Sequence, residues 1–186
     1  METEHGQVRI VAGMPMYNEE ETIGTVVTMA LRHVDEVICI DDGSSDSSAR
    51  IAEACGATVI RHRGNQGYGA ALKTLFKSTR DSDADILVVL DSDGQHDTAD
   101  IPKLIRPILE EEADFTIGSR FVEGGEGNDM PAYRRLGIKV ITAASNLTSD
   151  LGIKDTQSGF RAFSRKAIDR LRFDADGMEP VSYTHL

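Results

Sequence analysis

The sequence predicts an α/β fold: a doubly wound, mostly parallel sheet sandwiched by helices. Three observations carry that prediction. Short runs rich in Val and Ile alternate with segments of helical spacing from residue 8 onward. The run Ile86-Leu87-Val88-Val89-Leu90 is apolar throughout, as a strand covered on both faces must be. Acid-rich clusters stand directly after predicted strands, where open α/β sheets bind their ligands. At 186 residues the chain suits one domain with a substantial core.

Residues 8–14 read as the first strand. Asn18 then has the chemistry of an N-cap, with Glu21 as its capping-box partner. A helix is predicted over 19–32, with Ile23, Val26, Val27, Ala30 and Leu31 on one face. Residues 36–40 form the second strand, ending at Asp41-Asp42-Gly43. The Ser/Asp-rich stretch 44–48 opens a helix running to about Cys55, and 57–60 is a short third strand. A glycine-containing loop over 64–69 leads into a helix ending near Arg80. The fourth strand is 86–90. Asp100 is placed to cap a helix that carries Pro102 in its first turn, kinks at Pro107 and reaches Glu112. Residues 114–118 are a fifth strand, followed by a glycine-rich loop over 123–128. Over 133–151 the positions Leu136, Val140, Ala143, Ala144, Leu147 and Leu151 keep helical spacing and predict a helix. Residues 160–164 and 165–171 read as a last strand and a short helix. Strands spaced by helices imply right-handed crossovers.

A net charge of −11 argues against a general basic surface that grips nucleic acid. Basic residues still cluster locally, at Arg61-His62-Arg63 and at Arg134, Arg135 and Lys139. Cys39 and Cys55 lack metal-ligand spacing and are expected as reduced, packed thiols. With no visible signal peptide and no apolar stretch of membrane-spanning length, the chain is expected to be cytoplasmic.

Three strand ends carry the candidate chemistry. After the first comes Pro15-Met16-Tyr17-Asn18-Glu19, after the second Asp41-Asp42-Gly43-Ser44-Ser45-Asp46, after the fourth Asp91-Ser92-Asp93-Gly94-Gln95-His96. Asp91 and Asp93 leave one strand end close together, and a cation between them would relieve their repulsion. Hard oxygen donors favour Mg²⁺ or Mn²⁺, which bridge a few carboxylates to nucleotide phosphates. Gln95 offers a further amide oxygen. Tyr17 is placed to stack a base, and Asp42 to accept hydrogen bonds from base or ribose. The plainer alternative is a set of solvated turns and helix caps. The loop over 64–69 has neither the P-loop ending nor the position of a dinucleotide fingerprint. His96 is expected as a structural loop residue, and His5, His33, His62 and His185 suggest no constellation.

Met14-Pro15-Met16-Tyr17-Asn18-Glu19, Ile40-Asp41-Asp42-Gly43-Ser44-Ser45-Asp46, Asp91-Ser92-Asp93-Gly94-Gln95-His96, Gly118-Ser119-Arg120 and Gln157-Ser158-Gly159-Phe160-Arg161 occur in that order. Together they resemble the motif set of family 2 glycosyltransferases, in the dolichol-phosphate mannosyltransferase-like branch, over about residues 8–178. The resemblance implies a GT-A fold, a GDP- or UDP-linked sugar donor, Mg²⁺ or Mn²⁺, and a lipid-phosphate acceptor at a membrane surface. It also implies that Pro15, Tyr17, Glu19, Ile40 and Asp42 line the nucleotide pocket. By the same resemblance Asp91, Ser92 and Asp93 contact nucleotide and metal, and Gln95 completes the metal's ligands. Asp93, Arg120 and Arg161 are expected to take part in catalysis, Arg120 by meeting donor or acceptor phosphate.

Breaking a sugar–diphosphate bond builds negative charge on the leaving group, which a metal and nearby cations stabilise. A phosphate acceptor needs no general base, because a phosphate monoester with a second pKa of about 6 is already anionic at neutral pH. Its approach does need cations, for which Arg120, Arg134, Arg135, Lys139 and Arg161 are candidates. Residues 1–178 are expected to form the catalytic domain and 179–186 a tail of doubtful origin. A chain ending there is expected to bind nucleotide diphosphate but to transfer sugar poorly. Two rival readings stay open. One is a phosphatase or phosphomutase using Asp91 as nucleophile, although such a nucleophile normally ends the first strand. The other is a non-catalytic nucleotide-binding module. A nucleotidyltransferase would need a glycine-rich basic loop where Pro15 to Glu19 stand.

Overall fold

The computed structural model describes residues 7–119, 137–141 and 159–171. The described strands are β1 (Ile10–Met16), β2 (Glu36–Asp41), β3 (Thr58–Arg61), β4 (Ile86–Val89), β5 (Phe115–Ser119), β6 (Gly137–Ile141) and β7 (Arg161–Ser164). They form one sheet in the order β3-β2-β1-β4-β7-β5-β6. The β3, β2, β1 and β4 ladders are parallel, and β7 inserts antiparallel between β4 and β5. The chain therefore winds outward from β1 to β3, then crosses back to lay β4 on the other side of β1. That reversal is a topological switch point, and it opens a crevice beyond the carboxyl ends of β1 and β4.

Helices cover both faces, as the apolar central strands require. On one face α1 (Ile23–Ala30), α2 (Ser48–Ala54) and α4 (Ile101–Leu109) pack on Ala12, Met14, Cys39, Val88 and Leu90. On the other, α3 (Tyr68–Arg80) and α5 (Arg165–Arg170) pack on Val11, Ile38, Ile40, Leu87 and Val89. The period of two along each strand sends neighbouring residues to opposite cores. Phe76, Phe115 and Phe163 form an aromatic group under α3, with centroids 4.8–4.9 Å apart. Each buried side chain of that size contributes roughly 2–3 kcal/mol. Both cysteines are free. Burial, and then the charge of Asp41, push the Cys39 thiol up to about 12, so it stays neutral.

Three local expectations are corrected. Residues 137–141, placed by spacing inside a helix over 133–151, form β6, paired antiparallel with β5 from Ser119↔Gly137 to Phe115↔Ile141. Ile138, Val140 and Ile141 are β-branched, and a free strand edge supplies partners that helical spacing cannot reveal. The rest of 133–151 and the loop over 123–128 lie outside the described residues. Asn18 is no helix cap: α1 begins at Ile23, and Asn18 takes a left-handed φ of 55° in the preceding loop. Asp100 stands at the N-cap position of α4 but makes no side-chain cap bond there. The capping oxygen is that of Asp97, which accepts from Ala99 N–H at 2.9 Å and opens the single 3₁₀ turn over Thr98–Asp100. Asp100 instead pairs with Lys103 at 2.7 Å. Beyond Pro107 the helix continues only to Leu109.

Asp114 ties α5 to the start of β5. It accepts from Ser164 Oγ at 2.9 Å and Lys166 Nζ at 2.8 Å. Burial raises its pKa, but the bonds from Lys166 and Ser164 outweigh it and leave the carboxyl below its usual value. A depressed carboxylate stabilises the fold above the unfolded pKa of about 4, and that contribution disappears as pH falls through the folded value. Asp114→Asn is expected to lower stability at pH 7 by no more than about 1 kcal/mol, because solvent screens the half-exposed Lys166. Urea unfolding at stepwise lower pH should show the two proteins converging below pH ~4.

Candidate functional site

A cleft of about 350 Å³ lies at the switch point. It is lined by Pro15, Met16, Tyr17 and Glu19 after β1, Asp42 after β2, and Asp91, Ser92 and Asp93 after β4. Asn65, Gly67, Tyr68 and Ala71, from the loop before α3 and its first turn, close the remaining side. Tyr17 and Tyr68 are 47% and 41% exposed, so two aromatic faces stand at the cleft where a planar base can stack.

The loops are braced by side chains that propensity alone does not explain. Ser92 Oγ donates to Pro15 C=O at 3.0 Å, and Thr22 Oγ1 donates to Ser92 C=O at 2.8 Å. These bonds lock the β4 loop to the β1 loop. Asn18 N–H donates to Ser44 Oγ, and Ser45 N–H donates back to Asn18 Oδ1, both at 2.9 Å. Glu20 Oε2 accepts from Ser47 N–H at 2.8 Å, while Asp46 accepts from Glu20 N–H at 3.2 Å. These reciprocal bonds tie the two adjacent loops together.

Asp91 is held from three sides. The Tyr68 hydroxyl lies 3.4 Å from Oδ1, and His96 Nε2 lies 3.2 Å from Oδ2. His96 is stacked on Phe160, with centroids 5.3 Å apart and planes 21° from parallel, so its ring is fixed. Gly159 closes the third side. A Cβ there would overlap the Asp91 carboxyl carbon and both oxygens. The glycine is required because the backbone entering β7 runs against the carboxylate. Asp93 Oδ1 accepts from Gln95 N–H at 2.9 Å, which shapes the turn.

Asp42 is buried, at 4% exposure, and its carboxylate is extensively bonded. It accepts from Gln66 N–H at 3.0 and 3.1 Å, from Gly67 N–H at 2.7 Å and from His62 Nδ1 at 2.7 Å. The turn after it needs Gly43, whose φ is +79° and whose added Cβ would sit 2.6 Å from the Gly64 backbone. Neighbouring Asp41 serves the turn itself, accepting from Ser44 N–H at 3.0 Å.

The fold thus brings Pro15, Tyr17, Glu19, Asp42, Asp91, Ser92 and Asp93 to one cleft. Ile40 is placed elsewhere, fully buried in the core beneath α3. Gln95 is exposed on the turn after Asp93. Arg161 is half-buried at the start of β7, in register with Val89 and Ile117. Arg120, Arg134, Arg135, Gln157 and Ser158 lie outside the described residues. The sequence alone suggests no site role for His62, and for the loop carrying Asn65 and Tyr68 only a close approach of backbone near the donor. His62 directly follows β3, so the strand-end rule that found Asp42 and Asp91 was also the signal for it.

The donor set suits a hard divalent cation. Among the described residues no three His, Cys, Asp or Glu side chains form a cage by themselves. Two carboxylates facing one cleft are the protein share that Mg²⁺ or Mn²⁺ takes when phosphates complete its coordination. The contacts that Asp91 and Asp93 already make leave oxygen lone pairs available.

Residues 12–172 match the family model described as Glycosyl transferase family 2. The chain is 33% identical over 173 residues to UDP-N-acetylglucosamine–dolichyl-phosphate N-acetylglucosaminyltransferase of Methanococcus voltae, covering 83% of this chain and 69% of that protein. It is 31% identical over 176 residues to the dolichol-phosphate mannosyltransferase of Pyrococcus furiosus, covering 89% of this chain and 49% of the relative. Among solved structures it resembles glucosyl-3-phosphoglycerate synthase from Mycobacterium tuberculosis in complex with Mn²⁺, UDP-glucose and phosphoglyceric acid. That likeness has a TM-score of 0.58 at 26% identity, covering 86% of this chain and 57% of the other. The matches thus span from about half to 69% of the lengths of these proteins. Among the described residues no helix is long and apolar enough to cross a membrane.

Proposed function

This chain belongs to glycosyl transferase family 2, and we propose that it transfers a hexose, mannose or glucose, from a nucleotide-diphosphate sugar to a polyprenyl or dolichyl phosphate. The observation that carries this reading is the convergence of Tyr17, Asp42, Asp91 and Asp93 on one cleft at the sheet's switch point. The relatives that act on dolichyl phosphate support the acceptor class. The solved complex with Mn²⁺ and UDP-glucose supports a metal-assisted donor site.

In this reading Tyr17 and Tyr68 take the base between them, and Pro15, Glu19 and Asp42 shape the walls around it. Asp91 and Asp93, with Gln95 at the turn, hold Mg²⁺ or Mn²⁺ beside the diphosphate. Bound there, the metal would supply charge stabilisation to the departing nucleotide diphosphate. Ser92 keeps the β4 loop against β1 and so fixes the spacing between base and diphosphate sites. Arg120 and Arg161 are assigned to the phosphates of donor or acceptor, whose mutual repulsion they would offset. The acceptor phosphate is its own nucleophile, so the Asp91–His96 pair is left to orientation and not to proton abstraction. Residues 1–178 are read as one catalytic domain.

Calorimetric titration with GDP and UDP, each with and without Mn²⁺, tests the assignment. One nucleotide is expected to bind only with metal present, and EDTA is expected to abolish the signal. If neither nucleotide binds under any condition, the glycosyltransferase reading fails. A trapped aspartyl-phosphate at Asp91 would replace it with the phosphatase reading.

A further inference from the structure

We propose that His62 is a positioning residue for the donor: it holds Asp42, and through Asp42 the backbone at 66–67 that floors the cleft. This rests on the donor-site reading above. His62 does not line the cleft, and its side chain is only 9% exposed. Its ring is nonetheless fixed at both nitrogens. Nδ1 lies 2.7 Å from Asp42 Oδ1, and Nε2 lies 2.8 Å from Thr74 Oγ1. A carboxylate only accepts, so Nδ1 carries a hydrogen and donates to Asp42. The backbone is fixed as well, because His62 N–H donates to Asp41 C=O at 2.9 Å and extends the β2–β3 ladder.

Four pieces of structure meet through this side chain: the ends of β2 and β3, the loop at 64–67, and α3. Asp42 has few donors of its own, the amides of Gln66 and Gly67 and the His62 ring. At 5% side-chain exposure it cannot replace a lost donor with bulk water in the same geometry. Removing the ring leaves a buried carboxylate under-satisfied. The least costly relief is to turn Asp42 toward solvent, through the cleft it lines. That movement releases Gln66 and Gly67, and with them the approach to Asn65 and Tyr68. His62 therefore acts on donor affinity and not on the bond-breaking step.

The test compares His62→Leu with His62→Asn, whose side-chain N–H can stand in for Nδ1–H. Amide hydrogen exchange at Gln66 and Gly67, read without ligand, is expected to quicken at least tenfold in His62→Leu and less than threefold in His62→Asn. Protection in β1 and α1 should be unchanged in both. Titration with GDP and UDP in Mn²⁺ should show at least tenfold weaker binding for His62→Leu, with His62→Asn within threefold of the parent. In turnover with a nucleotide sugar the loss should appear in KM, with kcat held within threefold. If His62→Leu fails to fold, Thr74→Val removes the ring's other anchor and should also quicken exchange at 66–67. Unchanged exchange in His62→Leu, or equal damage from Leu and Asn, overturns the proposal. If the parent binds neither nucleotide, the proposed function fails while the exchange data still decide the role of His62.

Discussion

Gly159→Ala is expected to abolish metal-dependent nucleotide binding while leaving the protein folded. The added methyl would occupy the space of the Asp91 carboxyl group, so one of the two must move. The backbone is the stiffer partner. Phe160 C=O accepts from Gly118 N–H at 2.8 Å, and the Phe160 ring is 1% exposed and stacked on His96. Asp91 is the softer one, with a side chain 32% exposed and open to the cleft. The carboxylate should therefore rotate off its Tyr68 and His96 contacts, at an overpacking cost of roughly 1–3 kcal/mol in stability. A ligand group misplaced by about 1 Å costs on the order of 100-fold in rate. The expected readout is loss of the Mn²⁺-dependent calorimetric signal, with a melting temperature lowered by only a few degrees. Normal binding by the folded variant would show that Asp91 does not hold the metal in its present orientation.

Asp91→Asn and Asp93→Asn should be as damaging for a different reason. Each keeps shape and one acceptor oxygen but removes a negative charge from the cleft. Two carboxylates are the protein's share of the proposed cation site, so either change should weaken metal-dependent binding at least tenfold. Turnover should fall by ~10²–10⁴, the range seen when charge stabilisation at a reacting centre is lost. The two variants should differ in their side effects. Asp91→Asn also disturbs the Tyr68 and His96 contacts, whereas Asp93→Asn disturbs only the bond from Gln95 N–H. The measurement is donor titration across a series of Mn²⁺ concentrations. Unaltered metal dependence in both variants would move the cation site elsewhere even if nucleotide still binds.

The strands bearing the site were legible because their pattern is strong. Residues 86–90 are uniformly apolar, and 36–40 stop at two aspartates, so their ends are marked in the sequence itself. Asp42, Asp91, Asp93 and Tyr17 followed from the rule that such ends carry ligands, and the parallel ladders through β1 put them in one cleft. The family resemblance implies a place for Ile40 in the pocket. The alternation that puts Asp41 and Ile40 on opposite faces of β2 instead sends Ile40 into the core beneath α3. The helix over 133–151 failed at 137–141 because periodicity is a local signal, while β6 exists through a ladder to β5 about twenty residues earlier.

What the sequence determined by itself is the alternation of strands and helices over residues 8–118 and the acidic residues that follow the strands. These follow from periodicity and turn chemistry, which act over a few residues. The tertiary structure alone decided the partners: His62 beneath Asp42, Tyr68 and His96 on Asp91, and Gly159 pressed against the same carboxylate. Those pairs lie 5 to 68 residues apart along the chain. Close packing and the need to satisfy buried charge select them only once the sheet has brought their segments together.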